Sequence, residues 1–219
     1  MLFRSNQLVY IVNGDPAMRQ AVHGHLSAEG FNPVSFVSAA EYRAACKPDA
    51  PACLILDVDL PDLNRFDLQQ PVSNRDAPIV FVTSWCDVPP WVRALKAGVV
   101  DFLTSPLRGR DLVNAVHIAI AMHREARSQH AEIALLQQRF SRLTPRERQV
   151  FGLVNSGLLN KQSALELGIS ETTLQIHRRH VMKKMAARSL ADLVRMATKL
   201  EIPVPAGYLP NRYINRSCT

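Results

Sequence analysis

Residues 143–193 read LTPRERQVFGLVNSGLLNKQSALELGISETTLQIHRRHVMKKMAARSLADL. Thr144, Pro145 and Glu147 write a helix start: a hydroxyl to cap, a proline in the first turn, and a glutamate to complete a capping box. That helix runs to about Asn155 and ends near Gly157. A second covers residues 160–167, with Asn160 as its cap. Gly168-Ile169-Ser170 reads as a turn, because Gly168 supplies a positive φ and Ser170 caps the next helix. A third helix spans about residues 171–185 and a fourth residues 189–199. A short helix, a three-residue turn and a second helix loaded with Arg, His and Lys read as a helix-turn-helix.

The third helix has two faces. Leu174, Val181 and Met185, with His177 among them, face a core. Thr172, Gln175, Ile176, Arg178 and Arg179 face outward, with Lys183 and Lys184 further along. Such a helix fits a major groove of about 12 Å width, where Gln and Arg read base edges and Ile176 meets a thymine methyl. Lys161, Thr172, Lys183 and Lys184 suit phosphate contacts.

Charge supports this reading. Residues 1–118 carry 10 Lys/Arg and 12 Asp/Glu, a net of −2, whereas residues 139–200 carry 12 Lys/Arg and 4 Asp/Glu, a net of +8. A chain of 219 residues with 47% hydrophobic residues can hold two small domains. The basic C-terminal one attracts a polyanion such as double-stranded DNA. Cys46, Cys53, Cys86 and Cys218 show no zinc spacing, and Cys53 falls in an apolar run. The beginning of the chain has no signal-peptide organisation and no run reaches membrane-spanning length, so a cytoplasmic protein without membrane contact is expected.

Short apolar runs at residues 8–12, 34–37, 53–57, 79–83 and 99–103 alternate with helix-like segments, the first helix starting at Pro16. Unbroken apolar strands between helices predict a doubly wound, five-stranded parallel sheet covered on both faces. Functional residues in such sheets collect at the carboxyl ends of the strands. Here those ends hold Asn13, Asp15, Asp57, Thr83 and Ser105.

LILDVDLPDLNRFDL (residues 54–68) and VFVTSWCDVPPWVRALKAGVVDFLTSPLRGRDL (residues 80–112) resemble the receiver domain of bacterial response regulators. By position, Asp57 matches the phosphoacceptor, Thr83 the hydroxyl residue and Phe102 the aromatic switch. The family's acidic pair falls on Asn13 and Gly14, and its Lys falls on Ser105, before Pro106. Asp15 lies one position beyond the pair and could lend a carboxylate. Asn64-Arg65 stand where Gly is common. Mg²⁺ takes a hard oxygen cage, and phosphate transfer needs a cation over the developing charge. The resemblance therefore implies a receiver not switched by Mg²⁺-dependent phosphorylation, with no metal or cofactor and Asp57 unused. A strand-end carboxylate at Asp57 also accepts backbone N–H bonds in its own right. The face over residues 89–121, including Trp91 and Val92, matches the family's dimerisation surface.

GLLNKQSALELGISETTLQIHRRHVMKKMAARSLADLVRMA (residues 157–197) closely resembles the four-helix output domain of the LuxR/NarL/FixJ type. Gln175, Ile176 and Arg179 match its base-facing positions, Lys161 and Lys183 its backbone-contacting positions, and His177 a structural one. Gln162-Ser163 depart from the usual pair. Leu190, Val194 and Ala197 match the helix that contributes to dimers on DNA.

The domains are thus a receiver-like domain at 1–122, a helical linker at 123–141, the small all-α helix-turn-helix domain at 142–200 and a tail at 201–219. Residues 110–140 contain neither Gly nor Pro, so a long helix is expected, with a break near Ser128. Met122, Ala126, Gln129, Ile133, Leu136 and Phe140 form a heptad-like seam that either pairs two subunits, docks the output domain or packs within the chain. In the tail, Pro203, Pro205, Gly207 and Pro210 oppose a helix; Tyr208, Tyr213 and Ile214 either pack back or belong to an open end. The expected protein is not an enzyme but a homodimeric, sequence-specific DNA-binding regulator met by a sensor kinase or another protein. The alternatives are a phospho-switched regulator using Asp57 and an adaptor that sequesters another regulator.

Overall fold

The computed structural model describes residues 7–61, 77–83 and 99–202. Trp91, Val92, Asn64, Arg65, Cys86, Cys218, Tyr208, Tyr213 and Ile214 lie outside them. The chain forms two compact units, Met1–His130 and Ala131–Thr219.

In the first unit, β1 (Leu8–Val12), β2 (Asn32–Phe36), β3 (Ala52–Asp57), β4 (Ile79–Thr83) and β5 (Val99–Thr104) make a five-stranded sheet in the order β2-β1-β3-β4-β5. All four pairings are parallel. The alternating residues of the central strands feed two cores. Val9, Ile11, Cys53, Ile55, Val80 and Val82 pack with Val22 and Leu26 of helix α1 (Pro16–Ala28) and with Leu112, Val116 and Ile120 of helix α3 (Gly109–Ser141). Leu8, Tyr10, Val12, Leu54, Leu56, Ile79 and Phe81 form the other core, against which Tyr42 of helix α2 (Ala39–Ala44) packs. Burial on both faces explains the continuous apolar runs.

Two sequence expectations change. The second strand is Asn32–Phe36 rather than 34–37; only Phe36 is buried, and Val37 is 54% exposed. As an edge strand it tolerates Pro33 and offers no continuous apolar signal. Helix α3 runs unbroken through Ser128. Ser128 is exposed, so its hydroxyl meets solvent and no interruption is needed. The seam along α3 is uneven: Met122 is exposed, whereas Leu136 is buried in the core of the second unit with Phe140 packed against it. Within the first unit, His123 Nδ1 lies 3.0 Å from the backbone of Ala52, and Arg127 pairs with Asp49 at 2.6 Å. Among the described residues, no helix is long and apolar enough to cross a membrane.

The second unit holds α4 (Pro145–Asn155), α5 (Asn160–Glu166), α6 (Glu171–Met185) and α7 (Leu190–Lys199). Its core joins Val150, Phe151 and Val154 of α4, Ala164 of α5, Leu174, Val181 and Met185 of α6, and Leu193 and Ala197 of α7.

Candidate nucleic-acid interface and receiver pocket

Local chemistry sets the helix boundaries around the basic face. Both halves of the Thr144–Glu147 capping box form. Gly168 has φ +61°, a conformation that glycine adopts without steric cost. Ser170 then caps α6 by accepting from the Thr173 amide at 3.1 Å, and Ser189 does the same for α7 from Asp192. Asn160, expected as the cap of α5, is instead its first residue. The cap is Leu159, whose amide donates to Gln162 Oε1 at 3.0 Å.

On α6 the residues at core spacing are buried: Leu174, Val181 and Met185. Thr172, Gln175, Ile176, Arg179 and Lys183 are exposed, at i, i+3, i+4, i+7 and i+11, which places them on one face. Ile176, 47% exposed, stands on this face with the polar residues. Lys161, at the start of α5, is also exposed. His177 is half-buried.

Two of the expected DNA contacts are held inside the protein. Lys184 Nζ donates to Glu147 Oε2 at 2.6 Å, and the Glu147 side chain is only 4% exposed. Glu147 Oε2 also accepts from the Thr144 amide at 2.8 Å, and its Oε1 lies 3.8 Å from His180 Nδ1. Burial pushes the Glu147 carboxyl up, but the bonds from Lys184 and Thr144 outweigh it and hold the group below the usual carboxylate range. Arg178 is half-buried and its Nη1 donates to Asn160 Oδ1. The sequence marks Glu147 only as a capping residue. Its burial, and a partner 37 positions away, leave no local signal.

The strand ends of the first unit carry the other expected site. Asn13 is buried, and its side-chain oxygen accepts from the Asp15 amide at 2.7 Å. Gly14 is exposed and contributes no side chain. The Asp15 carboxylate caps α1, accepting from the Ala17 amide at 2.9 Å. Arg19, which the sequence does not single out, donates from Nη1 to the carbonyls of Asn13 (2.6 Å) and Gly14 (3.0 Å). Asp57 ends β3 and accepts from the Asp59 amide at 2.9 Å. Burial is the largest influence raising the Asp57 carboxyl above its usual range; the Asp59 amide opposes it, and the Asp59 and Asp15 carboxylates add to it. Thr83 is buried at the end of β4, and its carbonyl accepts from the Ser105 amide at 3.0 Å. Phe102 is stacked on Phe81, with ring centroids 5.4 Å apart.

A Mg²⁺ cage of the receiver type does not fit this donor set. The side-chain oxygen of Asn13 is turned onto a backbone amide, Gly14 offers none, and one oxygen of Asp15, Oδ1, caps its own helix. Among the described residues, no group of three His, Cys, Asp or Glu side chains converges to hold a metal.

A five-stranded parallel α/β unit followed by a four-helix unit with an exposed basic helix is the plan of a response regulator with a DNA-binding output. Residues 9–117 match the response regulator receiver domain, and residues 141–197 match the bacterial regulatory proteins of the luxR family. The chain is 44% identical over 197 residues to nodulation protein W of Bradyrhizobium diazoefficiens, covering 89% of this chain and 87% of that protein. It is 36% identical over 196 residues to the response regulator protein TodT of Pseudomonas putida, covering 89% and 86%. The solved structure of the response regulator StyR superimposes with a TM-score of 0.73 at 34% identity, over 89% of this chain and all of that one. The chain therefore belongs to the NarL/FixJ-type response regulators with a LuxR-type DNA-binding domain, and it is a transcription regulator.

Proposed function

We propose that this regulator is a cytoplasmic homodimer that binds a specific DNA sequence without Mg²⁺-dependent phosphorylation of Asp57. The observation that carries the DNA reading is the single exposed face of α6, Thr172, Gln175, Ile176, Arg179 and Lys183, with Lys161 exposed on α5. Gln175, Ile176 and Arg179 read base edges, while Lys161, Thr172 and Lys183 meet phosphates. Two copies present two such helices about one helical turn apart, on an inverted repeat. The engaged oxygens of Asn13 and Asp15, the missing side chain of Gly14 and the Ser at 105 support control by other means. A sensor kinase or another regulatory protein meets the first unit. No metal or other cofactor takes part, and the chain performs no catalysis of its own.

Footprinting of the untreated full chain on its own upstream DNA, against a scrambled duplex, tests this reading. Protection of two half-sites about 10 base pairs apart is expected. An untreated chain that protects neither duplex would contradict it.

A further inference from the structure

We infer that Arg178 is a positioning residue, which tethers the start of α5 to the recognition helix through Asn160 and so sets where Lys161 stands. This rests on the DNA-binding reading of α6. The helix starts of the second unit show why a tether is needed. Thr144, Ser170 and Ser189 each cap their own helix with a side-chain oxygen. The cap residue of α5 is Leu159, which has no such oxygen. With seven residues, α5 is also far too short to hold itself in water. Ser163 and Ala164 bury its inner side, but its start faces solvent, with the Leu159 cap 71% exposed and Lys161 and Gln162 exposed after it.

Arg178 reaches this first turn from α6. Its guanidinium bonds the side chain of Asn160, the residue just before Lys161, and the two partners are half-buried. Arg178 lines a cavity with Leu159, Asn160, Lys161 and Leu190, between the starts of α5 and α7. Its neighbour Arg179 stands on the exposed face instead. The two consecutive arginines therefore divide the work. Arg179 is free to meet DNA, and Arg178 fixes the element that carries the phosphate-facing lysine.

A thermodynamic cycle separates this from a phosphate contact. Full-length wild type, Arg178→Ala, Asn160→Ala and the double variant are titrated with two duplexes over a range of salt. One duplex is enriched from a random library by the wild-type chain, and the other is of mixed sequence. Either single change is expected to weaken binding to the enriched duplex by roughly three- to tenfold, the scale of one charge-assisted hydrogen bond partly compensated by water. The double variant loses no more than either single one, and the salt slope stays that of wild type. Arg178→Lys, whose ammonium still offers a charged donor to Asn160, restores part of the affinity when Asn160 is present and none in the Asn160→Ala background. The inference is overturned if Arg178→Ala lowers the salt slope by about one phosphate while Asn160→Ala leaves affinity unchanged. A wild-type chain that binds neither duplex defeats the DNA reading itself. The tether is then decided by the same cycle in urea unfolding, where additive losses would refute it and coupled losses would support it.

Discussion

Replacing Lys184 by Met leaves Glu147 buried with its main counter-charge gone. Removing one partner of a buried ion pair costs about 3–5 kcal/mol, because the other charge stays behind without compensation. Three observations reduce that figure here. The Lys184 side chain is 35% exposed, so part of its attraction is already screened. The Thr144 amide still donates to Glu147 at 2.8 Å. The His180 ring nitrogen, 3.8 Å from the carboxylate, remains beside it as a polar neighbour. The expected loss at neutral pH is therefore about 2 kcal/mol, the scale of one hydrogen bond to a charged group. The Glu147 carboxyl is held below its usual range, so its contribution is present above the unfolded value of about 4.3 and fades as pH falls through the folded value. The gap between wild type and Lys184→Met should accordingly close on acidification below about pH 4. Adding Glu147→Gln to Lys184→Met should recover more than half of the loss, since an amide can be buried at lower cost than a lone carboxylate. Urea unfolding followed by far-ultraviolet circular dichroism, with amide exchange in α4 and α6 to locate the change, measures all three. A loss below about 0.5 kcal/mol at neutral pH, or one that persists undiminished in acid, would refute the reasoning.

Other consequences are independent of that pair. Arg179→Ala should cost about 1–3 kcal/mol of affinity for the specific duplex, relax discrimination at one base position and leave the unfolding curve unchanged, as read by competition binding beside urea unfolding. Leu174→Ala, at a fully buried position, should destabilise the second unit by roughly 3 kcal/mol in the same unfolding assay. Gly168→Val places a β-branched side chain at φ +61° and should lower the thermal midpoint through a loss of about 1–2 kcal/mol. Gly168→Asn, which tolerates that conformation better, should lose less.

Much of this architecture is legible in the sequence because local chemistry and global packing agree. Glu171–Met185 can be delimited from Ser170, Gly168 and the spacing of Leu174, Val181 and Met185 alone, and Thr144 and Glu147 announce the start of α4. The central strands betray themselves by burial on both faces. The edge strand does not, because solvent covers most of Asn32–Phe36 and its apolar pattern is lost. The sequence sorts the basic residues of α6 only in part. Arg178, four residues after Leu174 and three before Val181, borders the core stripe, while Arg179 and Lys183 fall on the far side; that Arg178 and Lys184 are anchored by Asn160 and Glu147 shows only in the fold. Arg19 is invisible for the same reason, since the carbonyls of Asn13 and Gly14 carry no sequence signal. At the receiver pocket, the residue types themselves are informative. From the receiver resemblance, charged groups are expected at the positions of Asn13, Gly14 and Ser105, and the structure adds that Asp15 caps α1.

Control without phosphorylation is tested most directly by an equilibrium titration of the untreated full chain with its own upstream duplex, with and without Mg²⁺ and acetyl phosphate. Tight, specific binding is predicted, with an affinity that does not change with the phosphodonor and is the same for Asp57→Ala. Specific binding that arises only with Mg²⁺ and acetyl phosphate, and is abolished by Asp57→Ala, would contradict it.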